Sequence, residues 1–434
     1  MKLKRPKRYN PDRLDASAIT PELAAAWRAP RFGTENPQRM NNPLWEWLVK
    51  TRIDAYDARK RFGYPSPFDA SRPGPAWCFA RMGQSVTYLP DGRVVLIAGE
   101  HEDHYDPDFY IYNDVTVYHP DGTLDLFGYP ESVFPPTDFH AATLIGDRIL
   151  LIGNLGYGPN RKAGVTQIAE LDLKTFAIRL IPSTGTPPGW IHKPIAELAP
   201  DQKSLQLRFG LIDPADHDSP SLLENPDTWM LDLTTWHWSR LTMLPWERHL
   251  FYAEGIRVLP IWQIGQLSFA MKYNFEKVRD PDEPSLEEQV PLGKWVEFQN
   301  RFGKTNPSAQ VDAAKLYAEG YNPDLEVFEK LYRPTVPHTT IPEPNSPEQD
   351  ADDADYDENG PYDQDEEVLS LPDDVFDGTR IAVNGVVVRY KKDTSQIFLT
   401  IEGKLPPETV EALIADLRGK LETLLDRPVI TQPL

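Results

Sequence analysis

Three stretches of this 434-residue chain share an opening pattern, and they fall at nearly equal intervals. "MGQSVTYL", "FHAATLIG" and "WIHKPIAEL" align on Gln84, His140 and His192, which stand 56 and 52 residues apart. The first two openings run into the compact apolar segments "RVVLIAGE" and "DRILLIGN", each preceded by an Asp-Gly or Gly-Asp turn. Alternating segments follow, "FYIYNDVTVYHPDG", "TQIAELDLKT" and "TWMLDLTTWHW". A small anchor, an apolar strand ending near Gly, a variable loop and an alternating strand thus recur in order. A period of this length marks repeated β units stacked on one another.

The segment Trp77–Leu241, about 165 residues, resembles kelch repeats. The matching elements are "MGQS", "VVLIAG", "YNDVTVYHPDG", "LLIG", "LDLKTF" and "LDLTTW". It departs where the family's paired glycines read "AGE", "IGN" and "RFG", and where Gln84 replaces the anchor His. The resemblance implies a mainly β fold, a kelch-like β-propeller of four-stranded antiparallel blades over residues 77–275. Propellers usually have four to eight blades, and three are visible. "RHLFYAEGIRVL" could open a fourth, since His249 lies 57 residues after His192. A small, divergent or incomplete propeller all fit.

Flanking helices and a small C-terminal α+β module complete the expected architecture. Residues 1–76 form an N-terminal extension with one helix over 43–62, begun by Asn42-Pro43 and ended by Gly63. Residues 276–340 carry helix formers. Residues 341–374 hold 14 acidic residues and no Lys or Arg, which reads as a disordered acidic linker. Residues 375–434 read as a hairpin turning at Asn384-Gly385, a third strand, and a helix. That helix gathers Val410, Leu413, Ile414, Leu417, Leu421 and Leu424 on one face.

The net charge is -21, and the acidic stretch supplies most of it, leaving 45 basic against 52 acidic residues elsewhere. Nucleic acid is not an expected partner, because phosphate binding needs a positive footprint. No apolar run reaches the ~20 residues that cross a bilayer, so a membrane is not expected either. The basic N-terminus "MKLKRPKRYN" is followed by no apolar segment, and no secretory signal is expected. Cys78 is the single cysteine, which excludes an intramolecular disulfide and fits a reducing, cytoplasmic setting; a bacterial source is part of the expected reading without a motif behind it.

Two motifs could carry chemistry. "GEHEDHYDPDFYIYNDV" at 99–115 concentrates His101, Glu102, Asp103, His104, Tyr105, Asp106 and Asp108. In the kelch frame these residues occupy the loop between a blade's second and third strands. Such loops commonly make partner contacts, and 154–165, with Tyr157 and Arg161, is the next loop of this type. His101, Asp103 and His104 could instead hold a metal for an enzyme. "DYDENGPYDQDE" at 355–366 matches a calcium-loop template at Asp355, Asp357, Asn359, Asp363 and Glu366. Pro361 and the Pro-rich flanks depart from that template, and a solvated linker is the competing reading. No nucleophile motif appears.

The expectation is a non-enzymatic scaffold that binds a protein partner through propeller-face loops and needs no cofactor. A bacterial immunity or chaperone partner is one form such a binder takes. A metal-dependent enzyme and a calcium-responsive adaptor are the alternatives. The partner, substrate, blade number and oligomeric state are not legible.

Overall fold

A computed structural model describes residues 6–65, 74–101, 109–213, 223–257, 259, 333–341 and 379–434. The described residues divide into two compact units, one up to Met243 and one from Leu244.

The first unit opens with three helices: α1 (Pro21–Trp27), α2 (Pro43–Thr51) and α3 (Ala55–Phe62). Asn42 caps α2 by accepting from the Trp45 amide, as Asn-Pro predicts. The single helix expected over 43–62 is two. Arg52 turns left-handed at φ 50° and closes α2 onto the Leu48 carbonyl. Asp54 then caps α3, and Gly63 ends it. A local N-cap outcompetes the continuous helical periodicity.

Between the helices lies β1 (Gln38–Arg39). The repeat region then supplies β2 (Ser85–Tyr88), β3 (Val94–Ile97), β4 (Glu100–His101), β5 (Tyr110–Ile111), β6 (Val115–Tyr118) and β7 (Leu124–Gly128). The second repeat gives β8 (Ala141–Ile145), β9 (Arg148–Ile152), β10 (Ile168–Asp172) and β11 (Ile178–Leu180). The third gives β12 (Thr184–Gly185), β13 (Trp190–His192), β14 (Ile195–Leu198), β15 (Ser204–Arg208), β16 (Leu211–Asp213), β17 (Leu223–Glu224), β18 (Trp229–Asp232) and β19 (His237–Arg240). Each repeat folds into a four-stranded antiparallel meander: β2-β3-β6-β7, β8-β9-β10-β11 and β14-β15-β18-β19. Each outer strand gains a cover: β1 pairs with β7, β12 pairs in parallel with β19, and the Asn36 amide bonds both backbone groups of Ile178 in β11. Covered edges resist unwanted strand pairing.

The first strands of the meanders follow one another through a structural anchor. Gly83, Phe139 and Lys193 all turn left-handed, the Phe139 amide bonds the Gly83 carbonyl at 2.9 Å, and the Lys193 amide bonds the Phe139 carbonyl at 2.6 Å. The equivalent positions are therefore 83, 139 and 193. His140 follows its anchor while His192 precedes its own, so the two histidines are not equivalent.

Packing runs in one direction through the three sheets. One face of the first sheet (Val94, Leu96, Tyr118, Leu126) packs on the helices through Leu44, Trp45 and Leu48. Its other face (Val95, Ile97, Val115, Val117) meets Ile149, Leu151, Ala169 and Leu171 of the second. The second sheet's far face (Leu150, Ile152, Ile168) meets Leu205, Leu207, Trp229, Leu231 and Trp238 of the third. The third sheet's far face carries Ser204, Gln206, Arg208, Met230, Asp232, His237 and Ser239. A sheet with helices or another sheet on each side needs apolar residues on both faces; one at the end of a stack needs them on one. "VVLI" and "RILLI" against "SLQLR" and "WMLD" record that difference.

The second unit contains β20 (Glu247–Tyr252), β21 (Thr339–Thr340), β22 (Thr379–Val383), β23 (Val386–Lys392), β24 (Gln396–Ile401), α4 (Pro407–Leu425) and β25 (Ile430–Pro433). The sheet order is β21-β22-β23-β24-β20-β25. Asn384 and Gly385, both at positive φ, make the expected two-residue turn. The α4 face also forms as expected, with Ile414 half-buried. Two boundaries change. β20, read as the start of a fourth repeat, lies between β24 and β25. The C-terminal module is therefore not confined to 375–434, because its sheet includes β20 and β21. Thr339–Thr340 likewise ends the expected helical segment as a strand. A strand with apolar residues on both faces fits any sheet, so "RHLFY" carried no address. Residues 276–332, and all of 342–374, lie outside the described residues.

Candidate functional site

The chain leaves each repeat's second strand through a glycine that only glycine fits. Gly99, Gly153 and Gly210 have φ near 90°, and a Cβ would stand 2.9 Å from the Met82 carbonyl oxygen, 2.5 Å from that of Ile191 and 2.8 Å from that of His192. These are the glycines of "AGE", "IGN" and "RFG". Each sends a loop to the same side of the stack.

Hydrogen bonds join these loops. The Tyr157 hydroxyl accepts the Ile111 amide at 2.9 Å, linking the second repeat's loop to the first. Arg161 binds Asp213 of the third repeat at 3.0 Å and donates to the carbonyls of Leu155 and Gly156. Trp190 donates to the Leu155 carbonyl at 2.9 Å. Below them, buried Arg81 forks onto Asp114 at 2.5 and 2.9 Å and lies 3.4 Å from the Tyr112 ring centroid. Asn113 holds the Tyr129 and Phe134 carbonyls. "YND" thus braces the loop base.

Aromatic rings border the joined loops. Phe109 meets Tyr157 edge-on at 5.9 Å, and Phe32 tilts against Tyr110 at 6.5 Å. Phe109 is 40% exposed and Phe32 is 37% exposed. Large rings held by neighbours yet facing water are the residue type that anchors protein interfaces.

Among the expected site residues, Tyr157 and Arg161 come together here. His101 does not lie on an exposed loop: it is buried in β4, its Nδ1 2.9 Å from the Ala80 carbonyl oxygen. Pairing of Glu100–His101 with Tyr110–Ile111 carries the ladder past Gly99. Glu102, Asp103, His104, Tyr105, Asp106 and Asp108 lie outside the described residues, as do Asp355, Asp357, Asn359, Asp363 and Glu366. Among the described residues, no three or more His, Cys, Asp or Glu side chains gather as a metal-ligand set. Phe32, Glu100, Phe109, Asp138 and Asp213 were not singled out from sequence; Glu100 and Phe109 stood inside the quoted stretch, hidden by its more conspicuous histidines.

His140 and His192 are neutral at physiological pH. Burial lowers His140 to about 4, with Nε2 2.8 Å from the Ser85 hydroxyl. Burial, then Lys193 and Arg161, lowers His192 to about 3.

No known family model matches this chain, and no curated protein sequence matches it. Among the described residues, no helix is long and apolar enough to cross a membrane.

Proposed function

We propose that this chain is a non-enzymatic interaction scaffold, an incomplete kelch-like array whose repeat loops bind a protein partner. The observation that carries this reading is the joined loop face. Tyr157 and Arg161 tie the loops of three consecutive repeats, and Phe32 and Phe109 stand half-exposed beside them. A preorganised surface with rigid aromatics binds at low entropic cost. The third sheet's polar far face supports an array that stops after three blades, since a fourth would need apolar area there.

Photo-crosslinking tests the site. A crosslinking amino acid at position 109, in cells that make this protein naturally, should capture one defined protein. The same group at position 239, on the far face of the third sheet, should not. Equal capture at both positions, or none at 109, contradicts the proposal.

A further inference from the structure

Helix α4 buries a charged pair within its apolar stripe. Val410, Leu413, Leu417, Leu421 and Leu424 belong to the core shared with the sheet, and Lys420 is buried among them. Its ammonium pairs with Asp416, one turn earlier, whose side chain is also largely buried. Both groups reach one stretch of main chain. Lys420 Nζ donates to the Arg333 carbonyl at 2.8 Å, and the Thr335 amide donates to Asp416 Oδ1 at 3.4 Å. Replacing such a buried pair by apolar residues is often neutral or stabilising, so holding a backbone accounts better for its place.

Residues 333–341 lie there as an extended peptide would. Pro334 is buried and Val336 packs on the core, while Arg333, Thr335 and Pro337, which alternate with them, are exposed. Thr339 and Thr340 then pair with Ala382 and Ile381 of β22, and the Ile341 amide bonds the Arg380 carbonyl at 3.3 Å. Main-chain bonds to a strand edge, with burial of alternate side chains, are how sheets take up peptides. The hold is light: two ladder pairs join β21 to β22, against five between β22 and β23. The tether is long. The 37 residues of 342–378 connect Ile341 to Thr379, whereas two, Asn384 and Gly385, turn β22 into β23.

We propose that the groove between α4 and β22 is a peptide-binding site occupied by the chain's own residues 333–341. An extended peptide of the same pattern, a β-branched apolar residue two places after a proline, enters by displacing them. Departure of the segment takes the main-chain partners from Lys420 and Asp416 and opens the β22 edge, and an incoming backbone restores both. The tether keeps the segment near, which sets the local concentration that an external peptide must exceed. The groove lies within the second unit, and the inference does not rest on the loop face.

The probe is a labelled peptide of residues 333–341, RPTVPHTTI, added to the full chain. Wild type, with its groove filled, should bind it weakly. Val336→Asp/Thr339→Pro drives out the chain's own segment by removing its apolar anchor and a ladder amide. This released variant should bind at least about tenfold more tightly, because the open groove is no longer a minor state. Adding Asp416→Ala/Lys420→Met removes both charges together and strands neither. It should weaken that binding at least about tenfold. Equal binding by wild type and the released variant, or binding indifferent to the Asp416–Lys420 pair, would overturn the proposal. So would no binding by a released variant that still unfolds cooperatively. If that variant does not fold, amide exchange on the wild type carries the test. Excess peptide should accelerate exchange at Ile341 and leave Val388 and Leu399 unchanged; an unchanged rate at Ile341 would overturn the proposal as well.

Discussion

Tyr157 shows how a single hydroxyl can connect two repeats. Its oxygen is the acceptor for the Ile111 amide, so Tyr157→Phe should cost about 1 kcal/mol in denaturant unfolding, the usual price of a lost bond. A change below measurement error would mean that the loops are not coupled through it. Asp114 has more at stake, because it neutralises the buried Arg81. Asp114→Ala should cost about 3–5 kcal/mol by stranding that charge, read by the same unfolding curves. The histidines give the fold an acid limit. Both have folded-state pKa values below the usual 6.5, at about 4 and about 3. They stabilise the fold above about pH 6.5, and that contribution disappears as pH falls toward about 4, on the order of 1–3 kcal/mol for His140. His140→Gln should flatten that part of the stability profile. An unchanged acid slope would show that folding does not lower the proton affinity of His140. At this scale the sequence was partly legible. "YND" and the glycines announced themselves, whereas His101 looked like a loop residue because its pairing with Tyr110 spans a loop of unpredictable path.

The strands and turns were easier to read than their partners. Alternation in "SLQLR" and "WMLD" and continuity in "VVLI" and "RILLI" follow directly from one or two buried faces. The Asn384-Gly385 turn and the α4 stripe were visible for the same local reasons. The helix break at Arg52–Asp54 was not, because a helical period continues through it. Nor was the place of β20, since sheet partnership over long sequence separations leaves no local mark. That misplacement has a measurable consequence. A fragment of residues 376–434 lacks β20, leaving β24 and β25 without their shared neighbour. It should fail to show cooperative unfolding on its own. A cooperative transition from that fragment would remove β20 from the module. The glycines offer a second comparison. Gly153→Ala meets the Ile191 carbonyl and should cost more than ~2 kcal/mol. Gly122→Ala, also at positive φ but in open space, should cost only ~1 kcal/mol.

Across the whole of the first unit, the packing order explains why three repeats suffice. Helices cap one end of the stack and a polar sheet face caps the other. Repeat arrays need such caps because every inner unit is apolar on both sides. The repeat itself was legible in the sequence, since its anchors, glycines and turns recur. What the array binds was not, because the proposed recognition surface draws on Phe32, Phe109, Tyr157 and Arg161, residues scattered over about 130 positions and brought together only by folding. Binding at that surface is the central claim, and calorimetry with the protein captured at position 109 tests it most directly. The double variant Phe32→Ala/Phe109→Ala should keep the wild-type melting temperature and bind that protein at least about tenfold more weakly, as expected when aromatic anchors are removed. Undiminished binding by a folded double variant would contradict the account.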